Sequence, residues 1–140
     1  MNANQASGIA VRRVLMIAGF LGASGIMAGA FTAHGLETWL IDQGYEEVAA
    51  KRVGQADVGV RYHLLHAVAL VAMAAVAGHY NRGKYLTIIT LMTLGTLLFS
   101  GSLYLLVALN LPVMGAITPL GGLAWIAAWI MVALPRTSND

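Results

Sequence analysis

Three long stretches of the chain carry no Asp, Glu, Lys or Arg. They cover residues 14–36, 62–81 and 85–135, and the last is 51 residues long. An α-helix needs about 20 apolar residues to cross the hydrocarbon core of a bilayer, so the last stretch has room for two crossings and a turn. With 59% apolar and 10% charged residues, a soluble domain of this size could not cover its apolar surface. The sequence therefore predicts a small membrane protein with four crossings.

One cluster of helix-breaking residues, Asn110-Leu111-Pro112, lies inside the last stretch and predicts its turn. We expect a single all-α domain over residues 1–140, folded as an antiparallel four-helix transmembrane bundle. The helices are predicted at about 14–35, 60–80, 85–109 and 113–134, with boundaries uncertain by about 2–4 residues. Four short β-segments are a second interpretation, but the stretches lack the alternation typical of barrel strands.

The start of the first helix also has features of a secretory signal peptide. Arg12-Arg13 precedes the apolar stretch, and Ala28-Gly29-Ala30 resembles a cleavage site for signal peptidase. The apolar stretch continues to Leu36, which is longer than the apolar region of a typical signal peptide. This length favours a helix that is retained in the protein.

The distribution of Lys and Arg predicts how the bundle is oriented. With four crossings, both termini and the second loop lie on one side of the membrane, and cytoplasmic loops are enriched in Lys and Arg. That side holds five of these cations, and the opposite side holds three. The five are Arg12, Arg13, Arg82, Lys84 and Arg136, and the three are Lys51, Arg52 and Arg61. We therefore predict a plasma (inner) membrane protein with cytoplasmic termini.

Residues 37–59 form the one extended polar segment and connect the first two membrane helices. Apolar residues recur in it at helical spacing from Tyr45 onward, and Glu47 and Lys51 form a favourable i, i+4 pair. Gly44 is placed to end a short turn of helix before it. The pattern predicts an amphipathic helical connector at the membrane interface; a helix that docks a partner protein is the alternative.

Small residues form a stripe along the first helix. Ala18, Gly22, Gly25 and Gly29 follow steps of four, three and four residues. Close approach of helix backbones replaces the hydrophobic effect as a driving force inside the bilayer. The stripe therefore predicts a packing face, for a helix of the same chain or for a second subunit.

Nearly all hydrogen-bonding side chains of the predicted helices fall in one layer when the helix directions are taken into account. This layer lies toward the side opposite the termini, and the carboxylates nearest to it are Glu37 and Asp57. Polar groups at membrane depth face the bundle interior or water and are candidates for function. The candidate polar site consists of His34, Arg61, His63, His66, Ser100, Ser102, Tyr104 and Thr118.

Several roles are compatible with this polar layer. His34 and His66 can donate to backbone carbonyls, Ser100 or Thr118 in a structural role, with His63 and Arg61 reaching toward the interface. The same groups can form a binding or permeation site for a small polar solute or a proton. Three imidazoles, His34, His63 and His66, can bind a transition metal or haem, although the His-x-x-His spacing is a weak signal. A Ser–His hydrolase built on Ser100 is a further alternative.

Other kinds of chemistry find no support in the sequence. The chain has no cysteine, which excludes disulfides, thiolate metal sites and a cysteine nucleophile. It has no phosphate-binding loop, dinucleotide fingerprint or HExxH motif. A net charge of +2 gives no nucleic-acid surface. We therefore expect no nucleic-acid partner, no required cofactor and no enzymatic activity.

Four motifs of the chain resemble those of a family of small bacterial inner-membrane proteins, domain of unknown function 423, which includes the UPF0382 proteins. Residues 29–36 (GAFTAHGL) resemble its GAFGAHGL signature, and residues 61–67 resemble its second motif. Residues 98–104 and 115–122 resemble the other two motifs. The likeness extends over about residues 14–134.

The resemblance implies a four-helix multi-pass protein and brings no established activity, substrate or catalytic residue. The positions that match the family pattern are His34, His66, Ser100, Thr118 and Pro119. His63 departs from it, because Gln is common there, and Thr32 stands where Gly is usual. A hydrogen-bonding site tolerates Gln in place of His more easily than a metal centre does, so the departure weakens the three-histidine metal site.

Two functional hypotheses follow. The first is a non-enzymatic accessory, assembly or scaffold component, present as a homo-oligomer or in a larger membrane complex. The second is a binding or permeation site for a small solute, proton or metal in the polar layer, centred on His34, His66 and Ser100.

Overall fold

The computed structural model describes residues 3–134, with side chains from residue 11 onward. Residues 1, 2 and 135–140 lie outside the described part, and Arg136 of the orientation prediction is among them. The described chain forms five α-helices and two short 3-10 turns. The helices are α1 (Ala3–His34), α2 (Leu36–Asp42), α3 (Glu46–Ala75), α4 (Arg82–Ala108) and α5 (Thr118–Val132), and the turns are Ala77–His79 and Pro112–Ala116.

Four segments within residues 3–134 are long and apolar enough to cross a bilayer. They are Val11–His34, Glu46–Ala75, Arg82–Ala108 and Pro112–Val132. Helices suit this environment because they satisfy their backbone hydrogen bonds internally. The predicted all-α fold with four membrane helices is confirmed.

The connector between the first two membrane helices is helical, but its extent differs from the prediction. Its first part is the separate helix α2, whereas its second part continues into the membrane helix as α3, without a break at residue 60. Gly54 and Gly59 do not interrupt the helix, and no proline lies in this segment. α3 also ends at Ala75, earlier than the predicted residue 80, and is followed by the 3-10 turn.

Local sequence signals set the ends of α2 and α4. Gly44 has a φ of +80°, and its N–H donates to the Ile41 carbonyl while Tyr45 N–H donates to the Leu40 carbonyl. This is the Schellman arrangement that commonly ends a helix at glycine. At the start of α4, the Asn81 side chain accepts a hydrogen bond of 2.9 Å from the Lys84 N–H, which satisfies a free helix donor.

The long helices run antiparallel in chain order, with α3 and α4 in the centre. α1 packs on α3, and α5 packs on α4. At one end of the α4–α5 pair, Ser102 and Thr118 are hydrogen-bonded at 2.8 Å; at the other, the Tyr80 hydroxyl donates to the Val132 carbonyl at 2.8 Å. We call the end formed by residues 35–45 and 109–117 the connector end.

Glycines lie where helices approach closely. A Cβ at Gly25 of α1 would lie 2.7 Å from Leu64 Cδ2, and one at Gly29 would lie 3.1 Å from Val60 Cγ1. Ala18 is also buried, but a Cβ at Gly22 would meet nothing within 4 Å. Ala18, Gly25 and Gly29 of the predicted stripe therefore pack within this chain, and Gly22 faces open space.

Candidate functional site

His66 of α3 is buried in an aromatic cluster between α3 and α5. Its ring stacks on Trp125 with a centroid distance of 3.8 Å and an interplanar angle of 4°. Its Nδ1 lies 2.9 Å from the Tyr62 carbonyl oxygen, and Trp129 Nε1 donates to its Nε2 at 3.3 Å. Both nitrogens of this imidazole are therefore bound to protein.

These two partners fix the protonation state of His66. A carbonyl oxygen only accepts, so Nδ1 carries the proton; an indole N–H only donates, so Nε2 offers its lone pair. The ring is a neutral Nδ1–H tautomer with no free ligand atom. Through these contacts His66 joins α3 to α5.

His63 lies one turn earlier on α3 and faces α4 and α1. It is buried, and its Nδ1 is 3.2 Å from the Tyr104 hydroxyl. Its ring also borders Gly25 of α1, since a Cβ built there would lie 3.5 Å from His63 Cδ2. Nε2 has no hydrogen-bond partner within the described residues. Because Tyr104 and Gly25 enclose the ring, His63 does not extend to the interface.

The serine and threonine candidates connect helices. Ser100 is buried, and its hydroxyl donates to the Gly59 carbonyl of α3 at 2.8 Å. The Ser102 hydroxyl lies 2.9 Å from the Phe99 carbonyl and 2.8 Å from the Thr118 hydroxyl. If Ser102 donates to the carbonyl, Thr118 donates to Ser102. Ser100 therefore joins α4 to α3, and Ser102 joins α4 to α5.

His34 is separated from these groups. It is the last residue of α1, it is exposed, and it lines a cavity of about 340 Å³ at the connector end. We call this cavity the connector pocket. Its other polar lining side chains come from the start of α2, from α1 and from α3: Thr32, Glu37, Thr38 and Asp57.

The connector pocket holds two carboxylates on different helices. Glu37 stands in the first turn of α2, three residues after His34, and Asp57 stands on α3. Asp57 Oδ2 accepts a hydrogen bond of 2.8 Å from Arg61 Nε, and the two residues form an exposed i, i+4 ion pair. Among the described residues this is the one such pair, so Glu37 has no cationic side-chain partner there.

The structure therefore divides the predicted polar site into separate places. Six of the predicted residues lie in contacts between helices: His63, His66, Ser100, Ser102, Tyr104 and Thr118. His34 lines the connector pocket, and Arg61 pairs with Asp57, one of the two carboxylates of the pocket. His34 does not meet His66 and Ser100. No group of three or more His, Asp or Glu in the described part of the chain is placed to hold a metal ion. Thr32 and Thr38 were not among the site residues predicted from the sequence.

Arg52 is a buried cation that the sequence suggested only as a loop charge. It is 6% exposed; its Nη1 donates to Gln55 Oε1 at 2.9 Å, and its Nη2 donates to Asn110 Oδ1 at 2.7 Å. Asn110 has a φ of +47° in the loop after α4. Arg52 therefore connects α3 to the loop between α4 and α5. The one sequence signal for this contact is that Arg52 lies within a helical pattern.

The chain matches a known protein family over most of its length. The family described as "Protein of unknown function (DUF423)" matches residues 28–122. This region contains His34, Glu37 and Asp57 of the connector pocket, together with Arg61, which pairs with Asp57. No solved structure matches the chain significantly.

Curated relatives cover most of the chain. UPF0382 membrane protein YwdK of Bacillus subtilis is 43% identical over 107 residues, which are 76% of this chain and 80% of that protein. UPF0382 membrane protein SH2409 of Staphylococcus haemolyticus is 37% identical over 110 residues, with the same coverage. UPF0382 inner membrane protein YgdD of Escherichia coli is 29% identical over 121 residues, 86% of each chain. With its four membrane helices, this chain is an integral membrane protein that belongs to the DUF423 family.

Proposed function

We propose that the protein is a non-enzymatic membrane protein that binds a small amine-bearing solute in the connector pocket. The observation that carries this proposal is the convergence of His34, Glu37 and Asp57, from three different helices, on one cavity of about 340 Å³. A cavity of this size suits a small molecule. Five of the eight residues of the GAFTAHGL motif line it: Gly29, Thr32, Ala33, His34 and Gly35.

The charges of the pocket favour a cation. Asp57 is already paired with Arg61, whereas Glu37 offers a carboxylate without a cationic partner among the described residues. A protonated amine has up to three donors, and the carboxylate and hydroxyl groups around the cavity accept hydrogen bonds. Hydrogen bonds between an ammonium and a carboxylate are about twice as strong as neutral ones.

The engagement of the buried polar groups supports a non-enzymatic role. Hydrolysis by a serine needs a base within hydrogen-bond reach of the hydroxyl. Ser100 instead donates to the Gly59 carbonyl, and both nitrogens of His66 are bound to Tyr62 and Trp129. These groups stabilise the bundle where the Ser–His hypothesis needs them to be free.

Thermal unfolding of the detergent-solubilised protein tests the proposal. Ethanolamine should raise the unfolding midpoint more than acetate or a neutral polyol does, because bound ligand stabilises the folded state. Glu37→Gln should abolish the difference. Glu46→Gln is the matched control, since Glu46 is an exposed acid in the first turn of α3 that does not line the pocket. Equal responses to the three solutes would contradict an amine site.

A second proposal is that the protein is an accessory or assembly component. Its support is the peripheral position of α1, which packs on α3 and α2 and leaves Gly19 and Gly22 facing open space. Small residues let a further membrane helix approach closely.

Crosslinking in native membranes tests this second proposal. Since the chain has no cysteine, Gly19→Cys can be crosslinked there, with the buried Val14→Cys as the control. A product at twice the mass indicates a homo-oligomer, and a product of another mass indicates a larger complex. A monomer alone would contradict this proposal.

A further inference from the structure

Both signs of charge occur at the connector pocket. Glu37 and Asp57 line it, and the Arg61 guanidinium, outside the lining, is paired with Asp57. The Arg61 side chain is 72% exposed, so its remaining donors are accessible to a further anion. Guanidinium groups bind phosphate oxygens in a favourable planar geometry. The pocket therefore offers acceptors for an ammonium beside donors for a phosphate.

The pocket opens where lipid headgroups are expected. It lies at the end of the membrane helix α1. Trp39 of α2 lies at the same end of the bundle, outside the pocket lining, and its ring packs edge-on against Phe31 at 6.4 Å between centroids. Tryptophan is enriched at the level of the headgroups in membrane proteins. The carboxylates and Arg61 thus lie at a depth that a headgroup can reach laterally.

Exposed apolar side chains of α1 and α3 lie on the pocket side of these helices, toward the middle of the bundle. Helical periodicity places Ile26 on the same side of α1 as Gly29 and Ala33, and Val68 on the same side of α3 as Asp57 and Arg61. Ile26 is 65% exposed and Val68 is 67% exposed. Gly22 adds no side chain between them. An acyl chain can therefore contact these apolar side chains below the pocket.

We propose that the ligand of the connector pocket is a zwitterionic phosphoethanolamine group and that its source is a bilayer lipid, phosphatidylethanolamine. This inference rests on the proposed amine site and adds the phosphate and the acyl chain. The ammonium binds the acceptors around Glu37, the phosphate binds Arg61, and an acyl chain lies between Ile26 and Val68.

Lipid-dependent thermal unfolding of the full chain tests this assignment. The delipidated protein in detergent is mixed with phosphatidylethanolamine, phosphatidylglycerol or phosphatidylcholine, or with soluble phosphoethanolamine. We expect phosphatidylethanolamine to raise the midpoint most and soluble phosphoethanolamine to act only at much higher concentration. Arg61→Gln should weaken the apparent affinity for phosphatidylethanolamine by about threefold, the effect expected for one exposed charged contact. Arg61→Lys should recover part of it.

Arg82→Gln is the matched control, because Arg82 is an exposed cation at the start of α4, away from the connector end. Circular dichroism confirms that each variant folds. A larger effect of phosphatidylglycerol, or an unchanged response in Arg61→Gln, would overturn the zwitterion assignment. If soluble phosphoethanolamine acts as strongly as the lipid, the lipid source is wrong. If ethanolamine still acts through Glu37 while the lipid does not, this inference fails and the amine site stands; if neither acts, both fail.

Discussion

At the scale of single residues, the contact between α4 and α5 depends on Gly121. A Cβ at this position would overlap the Phe99 backbone N and lie 2.8 Å from the Gly95 carbonyl oxygen. Backbone atoms cannot move aside as flexible side chains do, so Gly121→Ala should lower the free energy of unfolding by about 2 kcal/mol.

Gly19→Ala is the matched control for this change, because nothing lies within 4 Å of the added methyl group. It should leave stability unchanged or raise it by up to about 1 kcal/mol, since alanine favours helix over glycine. Unfolding by sodium dodecyl sulfate, followed by circular dichroism, measures both variants. Equal losses in the two would refute the close contact at Gly121.

The two histidines of the family motifs should respond differently to substitution. His66→Ala removes the stack on Trp125 and leaves the Trp129 N–H without its acceptor. The expected loss of unfolding free energy is about 2 kcal/mol, from one buried aromatic pair and one partly buried hydrogen bond. His66→Gln, which can donate and accept, should recover part of the loss. His34→Ala, at an exposed position, should change stability by less than about 0.5 kcal/mol; a loss similar to that of His66→Ala would contradict these roles.

The sequence indicates toward which end of the bundle a polar residue lies, but not which residues it contacts. Helix direction and the rise per residue suffice to place His34, His66 and Ser100 toward the same end. Which of them face each other depends on the rotation of each helix about its axis. That rotation follows from close contacts such as Gly25 with Leu64, which involve residues distant in the chain.

At the scale of helices, Arg52 connects α3 to the loop that follows α4. Asn110 contributes both the acceptor for Arg52 and a left-handed backbone conformation. Asn110→Gly keeps the conformation and removes the acceptor, so it should cost about 1.5–3 kcal/mol, the usual value for a hydrogen bond to a charged group.

Asn110→Ala should cost about 1 kcal/mol more, because a Cβ disfavours the left-handed region. Chemical unfolding of the two variants in the same detergent measures the difference. If Asn110→Gly matches the wild type, the hydrogen bond from Arg52 does not stabilise the fold.

The helices themselves could be predicted because long charge-free stretches and the Asn110-Leu111-Pro112 cluster are local signals. The sequence did not predict that α3 continues from the connector into the membrane without a break. The first half of α3 contains four charged residues that favour a connector separate from the membrane helix: Lys51, Arg52, Asp57 and Arg61. Two contacts satisfy charged groups in this part of the helix: Arg52 bonds to Asn110, and Arg61 pairs with Asp57. The first could not be predicted locally, because Asn110 lies 58 positions from Arg52.

At the scale of the whole molecule, the four crossings place the connector end on the side opposite the termini. Because the chain has no cysteine, single cysteines report orientation without background. We predict that Thr38→Cys reacts with a membrane-impermeant maleimide in cells whose outer membrane has been permeabilised. Gly78→Cys, on the loop between α3 and α4, should react only after the inner membrane is opened. The reverse pattern would contradict cytoplasmic termini.

The central claim is that an amine-bearing molecule occupies the connector pocket through Glu37. Native mass spectrometry of the protein released from its own membranes tests it most directly, together with the Glu37→Gln and Glu46→Gln variants. We predict one bound amine-bearing molecule on the wild type and on Glu46→Gln, and its loss from Glu37→Gln. A bare wild-type chain, or the same bound molecule on all three proteins, would contradict the claim.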